Sequence, residues 1–139
     1  MLVAESGHSA CVLDGLIYVI GGFRNGFALD SVHRFDPGVS TWSTLAPMTA
    51  ARSVLQSFVC DGSIYVAGGW DEGGKLATVE RYSVELDSWT EVSDMALSSA
   101  RTCFGAATMG GPWTRDGSLR QPGGQGKEGT GVSRGSRLC

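Results

Sequence analysis

Apolar residues along this chain gather in short clusters, each closed by a turn signal, and no longer stretch keeps a helical three–four spacing. Between residues 53 and 93 the clusters are SVLQSFVC (53–60), SIYVAG (63–68), ATVERYS (77–83) and SWTEVS (88–93). They predict four short strands, with Asp61-Gly62 as the hairpin turn between the first two. The run Ile64–Ala67 is continuously apolar, not alternating, so its strand is covered on both faces. Helix is expected to be nearly absent.

The same order of clusters and turns occurs one unit earlier. Shifting residues 5–51 by 47 positions brings them onto 52–98 without a gap. Asp14-Gly15, Ile17-Tyr18-Val19, Gly21-Gly22, Val32, Arg34, Trp42 and Met48 each meet an identical residue 47 positions on. Self-similarity at this period marks a repeat architecture, in which one unit buries its faces only against another. The predicted organisation is one repeat over 5–51, a second over 52–100, the first strand of a third over 101–109, and a Gly-rich disordered tail over 110–139.

An apolar strand ending in Gly-Gly, then Val-x-Arg-aromatic, Trp, Met and Arg, resembles the kelch repeat. The residues are Gly21, Gly22, Val32, Arg34, Phe35, Trp42, Met48 and Arg52, then Gly68, Gly69, Val79, Arg81, Tyr82, Trp89, Met95 and Arg101. The chain looks most like the Kelch-like subfamily, in which a kelch propeller follows BTB and BACK domains. The resemblance implies an all-β fold, here an incomplete kelch β-propeller of two four-stranded antiparallel blades plus one strand of a third. Glu5 stands where Arg52 and Arg101 stand, and beyond Met109 the expected xIYVxGG gives way to PWTRDGSLRQPGG. These departures suggest a truncated or alternatively spliced product. Two blades cannot close a ring, so self-association through uncovered blade faces is expected.

Composition narrows the chemistry. The net charge is −3, but residues 1–109 carry 12 acidic and 6 basic side chains, whereas 110–139 carry 2 and 5. A repeat region of net −6 lacks the clustered cations that nucleic acid binding requires. No basic leader with an apolar core opens the chain and no apolar run is long enough to span a membrane. The four cysteines share no repeat position and form no CxxC, so they read as reduced cytosolic thiols and the protein as cytoplasmic. The diglycines lack GxGxxG or GK[ST] context and a following helix, which leaves them as turns, not phosphate cradles. His8 and His33 occupy unrelated positions of the unit, and no nucleophile–base pair or metal cluster is visible. No enzyme, cofactor or metal site is expected.

The structural residues of the repeat are then Gly21, Gly22, Arg34, Phe35, Trp42, Gly68, Gly69, Arg81, Tyr82 and Trp89. The aromatics are expected to pack blade on blade, and the two arginines to lay their stems there while capping backbone carbonyls. Asp71, Glu72, Asp87 and Glu91 read as solvated charges. What varies is the segment after each diglycine: FRNGFA (23–28) against WDEGGK (70–75), equal in length and different in chemistry. A constant framework with varied tips is how a scaffold presents binding residues. By the resemblance, these loops and the start of the first strand form a face for a protein substrate or peptide. The matching positions are Phe23, Arg24, Asn25, Ser53, Trp70, Asp71, Glu72, Lys75 and Thr102. The expected function is a substrate-recognition piece of a cullin-RING ubiquitin ligase adaptor, without BTB or BACK. The alternatives are a cytoskeletal, actin-binding kelch protein and a non-functional truncated product.

Overall fold

The structure is a computed structural model that describes residues 5–97. The strand of a third repeat (101–109), the 110–139 tail, Thr102, Arg101, Cys103 and Cys139 lie outside the described residues.

Asp14 and Gly15 adopt φ of 51° and 76°, and Asp61 and Gly62 adopt 46° and 70°. Two successive positive φ values make each turn tight enough to join two antiparallel strands. The strands run, in chain order, β1 (Ser9–Leu13), β2 (Leu16–Ile20), β3 (Phe23–Arg24), β4 (Phe27–Ala28), β5 (Val32–Asp36) and β6 (Thr41–Thr44). Then follow β7 (Gln56–Cys60), β8 (Ser63–Ala67), β9 (Trp70–Asp71), β10 (Gly74–Lys75), β11 (Val79–Ser83) and β12 (Ser88–Glu91). A single 3₁₀ turn at Ser93–Met95 is the only helical element among the described residues. The fold is all-β.

The strands form two four-stranded antiparallel sheets, ordered β1-β2-β5-β6 and β12-β11-β8-β7, which are the two blades. In the first, Tyr18 sits opposite Cys11 and Arg34; in the second, Tyr65 sits opposite Phe58 and Arg81, the same register 47 residues on. The first strand of the second unit is shorter than its apolar cluster suggests. Val54 takes φ of 51°, so regular pairing begins only at Gln56.

β2 and β8 are covered on both faces, as continuous apolar runs require. Tyr18, Val19 and Ile20 are all buried, and Ile64, Val66 and Ala67 are wholly so. The shared core joins Leu13, Tyr18, Ile20, Val32, Met48 and Leu55 to Ile64, Val66, Tyr82 and Trp89. At the edges bearing β1 and β7 the blades meet through Ser9 and Ser57, whose hydroxyls lie 2.7 Å apart. The Ser57 amide also donates to the Ser9 hydroxyl at 2.9 Å.

The diglycines end β2 and β8 and send the chain into the small hairpins β3–β4 and β9–β10. Gly21 (φ 62°) illustrates why no side chain fits. An added Cβ would fall 2.4 Å from the Arg52 carbonyl oxygen, well inside van der Waals contact. The closeness is used: the neighbouring Gly22 amide donates to that carbonyl at 3.0 Å.

Candidate functional site

The varied segments fold as two equivalent two-stranded hairpins. Each is pinned to the start of its unit: Ser6 exchanges backbone hydrogen bonds with Phe23, and Ser53 exchanges them with Trp70. The tips are brought together, because the Phe23 and Trp70 rings meet edge-on at 6.3 Å. Asn25, Trp70, Glu72 and Lys75 are exposed, while Phe23, Arg24 and Asp71 are half-buried.

Not every expected residue is free to bind. Ser53 is buried, and its hydroxyl donates to the Trp70 carbonyl at 3.2 Å. The Asp71 carboxylate accepts from the Gly73 and Gly74 amides at 2.7 and 3.0 Å, so it shapes its own turn. Arg24 approaches Glu5 at 3.8 Å, an ion pair looser than a hydrogen bond. Phe27, absent from the expected set, is 62% exposed at the end of its hairpin. Its apolar character was legible, but its direction depends on the strand phase of β4.

Behind this face lies a clasp whose partners sequence reasoning missed. Arg52 is wholly buried, and its guanidinium donates to the Gly68 and Thr78 carbonyls at 2.9 and 3.2 Å and to the Thr78 hydroxyl at 3.2 Å. It also pairs with the carboxylate of Glu80, itself wholly buried. Glu80 accepts in turn from the Thr49 and Ala50 amides at 2.8 and 3.2 Å. Since the Arg52 amide donates to the Leu29 carbonyl, one residue ties the first blade to the second. Its place in the repeat motif was visible; that Glu80 would answer it depends on long-range geometry.

The aromatic contacts between blades come from one side. Tyr82 and Trp89 are buried, with Tyr82 6.4 Å from Tyr18 of the first blade and the Trp89 indole N–H donating to the Ala46 carbonyl at 3.0 Å. Phe35 and Trp42 pack on each other at 5.0 Å, yet Trp42 is 45% exposed. The expectation that all four pack blade on blade therefore holds for the second pair alone.

Three further expectations need correction. The Arg81 guanidinium donates to the Ser63 hydroxyl at 3.1 Å, not to a backbone carbonyl. Asp87 is not merely solvated: its carboxylate accepts from the Tyr82 hydroxyl at 2.6 Å and from the Ala46 amide at 3.0 Å. The Tyr82 bond chiefly, and the Ala46 amide next, hold its pKa below the ordinary carboxylate value. Burial, and then the bond to Asp87, push the Tyr82 hydroxyl up. Cys60 is disulfide-bonded, so the thiols are not all reduced. The Cys11 thiol is pushed up to about 11 by burial, partly offset by a bond with Ser57, which leaves it a poor nucleophile.

An open cleft of about 550 Å³ runs along β11 and β12, lined by residues such as Tyr65, Arg81 and Glu91, and includes none of the loop residues. Among the described residues no His, Cys, Asp or Glu cluster is placed to hold a metal, and no helix is long and apolar enough to cross a membrane.

Comparison with known proteins matches the Kelch motif to residues 6–49 and 57–96. An F-box/kelch-repeat protein of Arabidopsis thaliana is 46% identical over 46 residues, covering 33% of this chain and 12% of that protein. Kelch-like protein 25 of Rattus norvegicus and of Mus musculus is 33% identical over 57 residues, covering 34% of this chain and 10% of that protein. The chain thus spans about a tenth of the length of the curated relatives it matches.

Proposed function

The chain belongs to the kelch-motif family, a protein-interaction fold, and we propose that it binds a protein or peptide through the face built by the 23–28 and 70–75 hairpins. One observation carries this reading. Two hairpins of the same strand register, pinned by the same backbone bonds, present Phe23-Arg24-Asn25 in one copy and Trp70-Asp71-Glu72 in the other. Framework positions repeat where packing dictates them, and the tips diverge where packing does not. An exposed Trp beside charged and amide groups has the character of an interface anchor.

At the finer level, the face serves as the substrate-recognition surface of a ubiquitin-ligase adaptor of the Kelch-like kind, acting in the cytoplasm. The Kelch-like and F-box/kelch relatives support an adaptor role. Phe23, Arg24, Asn25, Trp70, Glu72 and Lys75 make contacts, and Ser53 and Asp71 hold the face in shape. Quantitative mass spectrometry of proteins captured from a cell lysate tests the reading. Trp70→Ala combined with Glu72→Ala should deplete the specific partners several-fold; an unchanged partner set would overturn the loop face as the binding surface.

A further inference from the structure

The slot that Arg52 fills in the second blade has a counterpart in the first, and its contents are reversed in charge. The backbone is the same in both. Gly21 donates to the Ser31 carbonyl as Gly68 donates to the Thr78 carbonyl, and the Ser6–Phe23 exchange matches the Ser53–Trp70 exchange. Glu5 therefore begins where Arg52 begins, and Ser31 lies where Thr78 lies. In the second blade, three oxygens of Gly68 and Thr78 and the Glu80 carboxylate surround a guanidinium. In the first, the corresponding oxygens belong to Gly21 and Ser31, and no arginine of this unit starts beside them.

At these two positions of the first unit, two buried groups lack a partner: Oε2 of Glu5 and Oγ of Ser31. The Glu5 side chain is only 6% exposed, and Arg24 meets the other carboxylate oxygen, Oε1, at 3.8 Å. A buried carboxylate oxygen without a donor costs more than a made hydrogen bond returns, so it favours any donor that reaches it. Ser6, Gly7 and His8 are exposed, whereas their counterparts Ser53 and Leu55 are buried and Val54 is half-buried.

We propose that this slot of the first blade accepts an arginine side chain from a partner polypeptide, in trans, where the second blade uses its own Arg52. Guanidinium suits the geometry, because its planar fork can donate to the carboxylate, the hydroxyl and a backbone carbonyl together. The inference rests on the loop face being the partner-binding surface and assigns that partner a basic residue next to the Phe23–Trp70 tips.

The test titrates the full chain with N-acetyl-arginine methylamide and, separately, with its citrulline counterpart, a near-isostere without charge. Amide NMR shifts are followed at Ser6, Gly22, Phe23 and Ser31. The arginine compound should move these signals saturably, and the citrulline compound should bind at least about tenfold more weakly, since a buried charge-assisted bond is lost. Glu5→Gln should weaken arginine binding by a similar factor. Equal binding of both compounds, shifts confined to other residues, or undiminished binding by a folded Glu5→Gln chain would overturn the proposal. Should Glu5→Gln fail to fold, the arginine–citrulline comparison on the unsubstituted chain decides. Arginine binding and the capture of partners by the Trp70 surface are separate readouts, so either can fail while the other stands.

Discussion

Phe35–Trp42 and Tyr82–Trp89 are the same two positions of the repeat, and their ring pairs are nearly superimposable: 5.0 Å and 39° in the first blade, 5.1 Å and 40° in the second. Their surroundings are not alike. Trp89 is 8% exposed and bonded to Ala46, whereas Trp42 is 45% exposed. The internal geometry of a blade is thus written in its own forty-odd residues. What that geometry contributes depends on whether another blade lies against it. The Arg52–Glu80 clasp differs for another reason: the equivalent positions of the first blade carry Glu5 and His33.

The largest asymmetry should appear at the clasp. Arg52→Ala leaves Glu80 buried without its cation and should destabilise by about 3–5 kcal/mol in urea unfolding. Glu5→Ala, at the matching position, should cost nothing measurable or stabilise, because it removes a buried oxygen that lacks a donor. Comparable losses for the two would break the comparison.

The aromatic pair comes next. Trp89→Ala should cost roughly 3 kcal/mol, the low end for a buried large aromatic, plus the loss of its indole bond. Trp42→Ala should stay under about 1 kcal/mol, as befits a ring that keeps much of its solvent contact. A smaller contrast separates two glycines of the first blade. Gly21→Ala should lose about 2 kcal/mol, because its Cβ would meet the Arg52 carbonyl at positive φ. Gly26→Ala, with φ of 92° and open space around the added Cβ, should lose about 1 kcal/mol from backbone strain alone.

The smallest effect is a pH dependence carried by Asp87, for which the first blade offers Ser40. The folded pKa of Asp87 lies below its unfolded value. Its stabilisation is therefore fully present above the ordinary carboxylate range and is lost as pH falls through the folded value. The shift in urea midpoint between pH 7 and pH 3 should be smaller in Asp87→Asn than in the parent. An identical shift would show that Asp87 does not contribute.

Period and turn chemistry made most of the fold legible. The matched Asp-Gly and Gly-Gly pairs and the apolar runs located the main strands within a few residues, because local backbone demands set them. The loop hairpins were legible as varied tips on a fixed frame. What could not be read was which polar side chains are drawn inward. Arg52 and Glu80 are 28 residues apart, and Asp87 and Ala46 are 41 apart. The first pair closes within the second blade and the second crosses between blades, and both need contacts far apart in the chain. Asp71 shows the opposite range: its carboxylate accepts from amides two and three residues away, a local use that the binding expectation did not include.

Equivalent tryptophans do different work here because, among the described residues, a blade lies against Trp89 and none against Trp42. Hydrogen exchange at the indole N–H groups of the intact chain tests it without altering the protein, with signals assigned from Trp→Phe variants. The Trp89 indole, held by the Ala46 carbonyl, should exchange far more slowly than the Trp42 indole. Equal protection of the two, or a Trp89 signal lost as fast as that of Trp42, would contradict it.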